Sequence, residues 1–269
     1  GKPFMTDSVT YWYNIRQENV GRRYLSQIPF SAEMGKRYQL RVVTRDLLRH
    51  DFNLRFIDVD KTNEFSQQSF KIADQRNVPF FGNVLPPGTV YKIEHRNTSY
   101  NYLYVDYYRN EIPMPSPTFA TTTKEYFYSV PDSVYMIEYT PDMYLSFSYE
   151  GLYYFRFDTN QPNGLTVVNF GSNFPKVKNP DEMIEPLAYI TNSAEYKKML
   201  LTENKKLTVD DFWLETSGST GRAREMIRIF YNRVYFSNYY FTNTVQGWKT
   251  DRGMIYTVYG PPQNMQKTP

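Results

Sequence analysis

The chain has 269 residues, of which 18% are aromatic and 22% are charged, and its formal net charge is only +3. The aromatic content favours a folded, strand-rich protein over a disordered one, and a net charge so close to zero argues against a nucleic-acid partner. The sequence contains no cysteine, which excludes disulfide bonds, thiolate catalysis and cysteine-ligated metal sites.

The first part of the chain shows the alternation of β-strands. Apolar and polar side chains alternate in residues 38–42, 52–56, 89–95 and 102–108. Several short strands at this spacing are typical of a β-sandwich. We therefore predict a multi-domain, mainly β protein that begins with an immunoglobulin-like β-sandwich over residues 1–115.

A proline-rich segment follows, with Pro113, Pro115 and Pro117 in the run PMPSP. Fixed φ angles and missing N–H donors disfavour both helix and central strand there, so we expect a domain boundary. The next residues, 116–174, form a second β-rich segment in this interpretation. The Asn163-Gly164 pair within it predicts a hairpin turn.

Helix signals begin after Pro175. Asn179 followed by a proline predicts a helix N-terminus, and Asn192 and Thr208, each with an acidic residue three positions later, predict two more. A longer helix is expected over about residues 220–241, apolar on most of its circumference and therefore buried. These helices would build a C-terminal helical domain over residues 175–269.

The most constrained stretch is GWKTDRGMIYTVYGPP, residues 247–262. Alternation within residues 254–259 predicts a short strand that closes the helical domain. Trp248 can bury a large ring, and Asp251 and Arg252 can form an ion pair, which we expect to lie among apolar neighbours. We interpret the stretch as a structural clasp made by Gly247, Trp248, Thr250, Asp251, Arg252, Gly253, Gly260 and Pro261.

This motif, with the preceding FWLETSG and RAREMIRIFYNRVYFSNYYF, resembles the GWxTD domain family of bacterial envelope proteins without an assigned function. The resemblance is specific over about residues 180–262. It implies an extracytoplasmic protein of a Gram-negative bacterium, a processed lipoprotein in the periplasm or anchored at the outer membrane, and it supplies no catalytic residue. Family members usually continue beyond the Gly-Pro-Pro, so the resemblance also implies that the helical domain is truncated at Pro269.

The residues that could support catalysis have simpler structural interpretations. His50 and His95 are the only histidines, and neither has a metal-binding spacing or a nucleophile motif nearby. We interpret His50 as a solvated turn residue and His95 as a half-buried, hydrogen-bonded one. The acidic pairs 181–182 and 210–211 are expected to be helix N-terminal charges. We therefore assign no catalytic residue, metal or cofactor, and predict that the protein is not an enzyme.

The expected function is non-enzymatic binding or scaffolding in the envelope, with other envelope proteins or glycans as partners, no nucleic acid, and membrane attachment only through a removed N-terminal lipid anchor. The alternative is a glycan-binding module, since aromatic rings on a β-sandwich can stack on sugars. Its candidate platform comprises Tyr11, Trp12, Tyr13, Tyr102 and Tyr104. A hydrolase is the third alternative and would need two carboxylates that converge in a deep cleft.

Overall fold

The computed structural model describes residues 28–46, 50–109 and 130–263. The chain divides into two compact units, residues 1–64 and 65–269.

The described part of the first unit is built around one β-hairpin. Strands β1 (Arg37–Arg45) and β2 (Phe52–Asp60) pair antiparallel, with Leu40 opposite Ile57. Both strands were predicted from their alternation and are confirmed. His50 is exposed in the connection between them and has a positive φ of 58°, which fits the predicted solvated turn.

The second unit begins with two four-stranded antiparallel sheets, which we call the two-sheet region. Its strands are β3 (Phe70–Ala73), β4 (Pro79–Phe80), β5 (Val90–His95), β6 (Tyr102–Tyr108), β7 (Ser133–Glu138), β8 (Tyr144–Ser146), β9 (Gly151–Arg156) and β10 (Leu165–Asn169). One sheet has the order β4-β3-β5-β8 and the other has the order β10-β9-β6-β7. Alternating apolar residues from both sheets fill one core between them.

Aromatic rings make much of that core. The Phe157 ring lies 4.8 Å, centroid to centroid, from the rings of Tyr100 and Tyr139. His95 is only 4% exposed, so it is more deeply buried than predicted. Its Nδ1 atom accepts a hydrogen bond from the Asn97 backbone N–H at 3.1 Å. A structural role for this histidine is therefore consistent with its position.

The two predicted β segments share the same sheets. Strand β6, before the proline-rich segment, pairs with β7 and β9, which follow it. The division at residues 64 and 65 also differs from the predicted boundaries at 115 and 174. A chain can leave a sheet and return to it at small entropic cost, so a break in the strand pattern does not by itself mark a domain boundary. The prolines themselves lie outside the described residues.

Five helices follow in the described part of the chain: α1 (Pro180–Leu187), α2 (Ser193–Leu201), α3 (Lys205–Ser217), α4 (Thr220–Phe241) and α5 (Asp251–Tyr259). This helical region confirms the broad prediction of a β-rich part followed by a helical part. None of these helices is both long enough and apolar enough to span a bilayer. The apolar faces of α1 to α4 meet, together with Trp248, in a second core that is separate from that of the sheets.

Two of the three predicted helix caps are confirmed. The Asn179 side chain accepts from the Glu182 N–H, and the Asn192 side chain accepts from the Glu195 N–H. The cap predicted at Thr208 is wrong, because Asn204 caps α3 instead. The Thr208 hydroxyl donates to the Asn204 carbonyl inside the helix, a common use of a helical threonine.

The short closing strand predicted over residues 254–259 is also wrong, because these residues belong to helix α5. Their buried members are Met254, Tyr256 and Thr257, and Gly253 is buried just before them. That pattern recurs at helical spacing and faces α4. Six residues are too few to distinguish a strand from a helix by alternation, so tertiary packing decided the outcome.

Candidate functional site

The predicted clasp lies where α5 packs against the C-terminal half of α4. A 3₁₀ turn, Gly247–Lys249, leads into α5. A Cβ atom at Gly247 would overlap the Ser237 carbonyl oxygen and lie 2.8 Å from the Asn238 Cα. A Cβ atom at Gly253 would lie 2.8 Å from the Trp248 Cα. Backbone therefore packs directly on backbone at both glycines, and no larger residue fits without movement.

The Trp248 side chain is the centre of this contact and is only 1% exposed. Its indole N–H donates to the Gln246 Oε1 at 2.7 Å. The Tyr189 ring packs edge-on against the indole with centroids 5.7 Å apart. The Tyr189 hydroxyl also donates to the Trp248 carbonyl at 3.0 Å. Burial with a satisfied N–H supports the structural interpretation of this residue.

Thr250 joins the 3₁₀ turn to α5. Its hydroxyl donates to the Gly247 carbonyl at 2.7 Å and accepts from the Gly253 N–H at 3.0 Å. The second bond is a helix N-cap, since it satisfies one of the free N–H groups of the first turn. Thr250 thus fixes the angle between the turn and the helix.

The other end of α5 is held by α4. The Arg233 guanidinium donates to the Val258 carbonyl at 2.8 Å, where cations stabilise the partial negative charge of a helix C-terminus. Gly260 ends α5 with φ of 89°, and an added Cβ there would lie 3.1 Å from the Arg233 Nη2. Pro261 follows on the exposed surface. Both ends of the helix therefore have specific partners.

Buried polar residues of α4 complete the clasp. Asn238 donates to the Pro175 carbonyl at 3.0 Å and accepts from the Trp248 N–H at 3.3 Å. The Ser237 hydroxyl lies 3.1 Å from the Thr257 hydroxyl. Sequence analysis did not identify these residues. Their spacing could have done so, because Ser237 and Asn238 continue the buried arc of α4 three and four positions after Val234.

The expected buried ion pair between Asp251 and Arg252 is wrong. Both residues are exposed in the first turn of α5. Among the described residues no carboxylate lies within 4.0 Å of the Arg252 guanidinium. The helix directs both side chains away from α4 because its buried face begins one residue later, at Gly253.

Asp251 nevertheless acts on the clasp through its charge. Burial raises the pKa of the Tyr189 phenol above its ordinary value, and the nearby Asp251 carboxylate raises it further. Both effects disfavour the phenolate. Tyr189 is therefore a neutral hydrogen-bond donor at physiological pH.

The predicted aromatic platform is described only in part. Tyr11, Trp12 and Tyr13 lie outside the described residues. Tyr102 is 49% exposed and Tyr104 is half-buried. Both lie on the outer face of β6, opposite the core-facing residues of that strand.

A charged pair lies beside the two tyrosines on the same face. The Arg156 guanidinium is 2.5 Å from the Asp106 carboxylate, which belongs to a residue only 4% exposed. Arg156 stands opposite Tyr104 in the register of β6 and β9. The guanidinium also lies 5.6 Å from the centre of the Tyr154 ring. This face therefore combines aromatic rings with a polar pair.

The acidic pairs show no catalytic arrangement. The Glu182 carboxylate accepts from Asn173 and Asn179, so it holds the start of α1. Asp210 and Asp211 are exposed within α3 and do not lie in its first turn as predicted. Within residues 28–46, 50–109 and 130–263, no three His, Cys, Asp or Glu side chains are grouped to bind a metal ion.

The fold and the clasp define a class of protein in which a β-rich part is followed by a helical part. The last two helices, α4 and α5, are joined by a turn that requires glycine at position 247. Residues 151–269 match the family model of the GWxTD domain, so the chain carries a GWxTD domain. The suspected family is confirmed, and the match begins at β9, earlier than the motif alone indicated. No curated protein and no solved structure matches the chain.

Proposed function

We propose that this protein is a non-enzymatic binding or scaffolding protein of the cell envelope, a processed lipoprotein located outside the cytoplasm. The envelope location rests on the GWxTD domain. The binding role rests on one observation, which is that the clasp fixes α5 while the opposite face of α5 presents exposed apolar and charged side chains. Rigid elements are the best supports for binding residues.

The exposed face of α5, which we call the α5 stripe, consists of Arg252, Ile255 and Tyr259. Their spacing of three and four residues places them on one side of the helix. Ile255 is 41% exposed and Tyr259 is 75% exposed. Tyrosine and arginine are enriched among the residues that contribute most to protein interfaces, so the stripe has the composition of a contact surface.

A pair of matched tyrosine variants tests this proposal. Tyr259→Ala removes an exposed ring of the α5 stripe, while Tyr149→Ala removes a ring of the two-sheet region that is 72% exposed. The envelope-expressed chain is cross-linked in cells and its complexes are separated by size. We expect Tyr259→Ala to reduce the complex at least fivefold with an unchanged melting temperature, and Tyr149→Ala to leave it intact. Equal behaviour of the two variants would contradict a role for the α5 stripe.

A second candidate function is glycan binding by the outer face of β6 and β9. The arrangement of Tyr102, Tyr104 and Arg156 on one face favours it, because rings can stack on sugar C–H groups while the guanidinium binds hydroxyls. Tyr102→Ala should abolish retention on immobilised envelope polysaccharide. Tyr144→Ala is the matched control, since Tyr144 is 48% exposed on the other sheet.

We also propose that the two-sheet region is an immunoglobulin-like sandwich. Two antiparallel four-stranded sheets that share one core support this assignment. An experimental structure tests it through the strand connections, and a closed barrel would contradict it.

A further inference from the structure

Strand β7 lies at the edge of its sheet as far as the structure describes the chain. In the described part of the chain it pairs only with β6. The Tyr139 N–H donates to the Asn101 carbonyl at 2.8 Å, which continues the ladder beyond the strand. Residues of an antiparallel strand direct their backbone groups alternately to either side. The N–H and C=O groups of Val134 and Met136 therefore point away from β6.

The side chains of this edge are apolar and exposed. Val134 is 60%, Tyr135 is 46% and Met136 is 63% exposed. Natural proteins usually protect an edge strand with lysine, proline or a bulge. The sequence SVYMIE has no lysine or proline, and its register with β6 runs without a bulge from Ser133 to Glu138. The strand is therefore open to pairing with another strand.

The charges at its two ends indicate what kind of strand would pair. Asp132 and Glu138 are exposed just before and at the end of the apolar residues. The Asp132 carboxylate accepts a hydrogen bond from the Arg109 backbone N–H at 2.8 Å. Among the described residues, neither carboxylate forms a salt bridge with a lysine or arginine side chain. An added strand with a basic residue at each end would be complementary in either direction.

The same charges disfavour a second copy of this chain. Antiparallel pairing of two β7 strands over their whole length would join Val134 to Met136 of the copy, because these residues carry the outward backbone groups. That register brings Asp132, the residue just before the strand, close to Glu138 of the second copy. Like charges opposite each other destabilise a pair of strands.

We propose that the β7 edge binds an extended segment of a partner protein as an added strand, and that this segment alternates apolar residues and carries a lysine or arginine at each end. Main-chain hydrogen bonds to Val134 and Met136 would supply affinity, and the flanking acids would supply selectivity. The inference rests on the proposed binding function but uses a surface other than the α5 stripe.

The test uses the full chain and a fluorescent nine-residue peptide of alternating threonine and valine with a lysine at each end. Met136→Pro removes one outward N–H, which edge strands tolerate, whereas Met136→Ala removes the side chain alone. We expect Met136→Pro to weaken binding at least tenfold in fluorescence anisotropy, and Met136→Ala to weaken it less than threefold. A glutamate-ended peptide should bind at least tenfold more weakly, with a smaller difference at 1 M salt.

Two further measurements make the result decisive. Met136→Pro should melt like the wild type, while Tyr135→Pro should melt lower, because the Tyr135 N–H points toward β6. A peptide N-methylated on its pairing edge should not bind, and this holds whether or not Met136→Pro folds.

The proposal fails if the N-methylated peptide binds as well as the parent peptide, or if the glutamate-ended peptide binds as well as the lysine-ended one. It also fails if Met136→Pro leaves the affinity for the lysine-ended peptide unchanged. A concentration-dependent dimer in sedimentation that Met136→Pro abolishes would assign the edge to a second copy. None of these outcomes depends on Tyr259, so the α5 stripe is tested separately.

Discussion

The two-sheet region and the helical region are closed by different kinds of contact. Between the sheets, rings such as Phe157 and Tyr139 pack side chain against side chain. Between α4 and α5, backbone approaches backbone at Gly247 and Gly253. Side chains can adjust their rotamers, whereas two packed backbones cannot move apart without moving a whole helix. The helical region should therefore be more sensitive to added atoms, and the sheets to removed ones.

The largest effect should come from adding a methyl group at the clasp. Gly247→Ala places a Cβ against the Ser237 backbone, so we expect a loss of more than about 3 kcal/mol in the free energy of unfolding. Gly221→Ala is the matched control in the first turn of α4, where nothing lies within 4 Å. That change should stabilise the protein by about 0.4–1 kcal/mol. Denaturant titration measures both, and a tolerated Gly247→Ala would contradict the backbone contact.

Removing a large ring should cost a similar amount in either region. Trp248 and Phe155 are each 1% exposed, and truncation of such rings to alanine costs about 3–5 kcal/mol. The comparison becomes sharper with Trp248→Phe, which keeps much of the volume but loses the bond to Gln246. We expect that change to cost about 1–2 kcal/mol. A normal melting temperature for Trp248→Ala, with loss of a binding partner, would instead make Trp248 part of a binding site.

Each region also contains a buried asparagine that ties loops to the core. Asn238 joins the clasp to Pro175, and Asn169 donates to the Phe147 carbonyl at 2.9 Å. Alanine at either position leaves buried backbone groups without partners, so each change should cost about 1–3 kcal/mol. Combining Asn238→Ala with Trp248→Ala should give less than the sum of the two losses, because Asn238 holds the Trp248 backbone in place and residues in direct contact depend on each other's packing. Additive losses would show that the network is not cooperative.

These contacts show how much of the fold could be read from the sequence. Local signals predicted the structure correctly where a side chain caps the helix that follows it directly, as Asn179 and Asn192 do. They were wrong at Thr208, because Asn204, four residues earlier, caps α3 instead. They were also wrong at residues 254–259, because packing against α4 favours a helix although the sequence alternates. Packing over a distance decides such cases, and the sequence does not show it directly.

The candidate site was predicted in part for the same reason. Gly247, Trp248 and Thr250 have constrained chemistry that can be recognised in a short motif. The partners Tyr189 and Arg233 lie 59 and 25 residues away from the atoms they bind, so no local pattern reveals them. Asp251 and Arg252 were expected inside because they are charged neighbours, but their position on a helix turned them to the surface.

A moderate, pH-dependent effect is expected for Tyr189→Phe. The change removes the bond to the Trp248 carbonyl and should cost about 1 kcal/mol at pH 8. Burial raises the pKa of the Tyr189 phenol in the folded state. The contribution of the protonated phenol to the free energy of unfolding is therefore complete below the unfolded pKa near 10, and it is lost as the pH rises above that value. The variant should therefore lose less stability than the wild type between pH 9 and about pH 11. If the free energies of unfolding of the wild type and of Tyr189→Phe changed with pH in parallel, Tyr189 would not be a protonated, buried residue.

The smallest effect on stability is expected at Arg252. Arg252→Ala removes an exposed side chain without a described carboxylate partner, so the free energy of unfolding should change by no more than about 0.5 kcal/mol. Arg156→Ala is the contrasting variant in the two-sheet region, because it leaves the buried Asp106 carboxylate unpaired and should cost about 3 kcal/mol. The same two arginines separate stability from binding, since Arg252→Ala should weaken the complex formed through the α5 stripe in a chain that melts normally. If Arg252→Ala lost as much stability as Arg156→Ala, Arg252 would be a buried, stabilising residue and would not belong to the proposed contact surface.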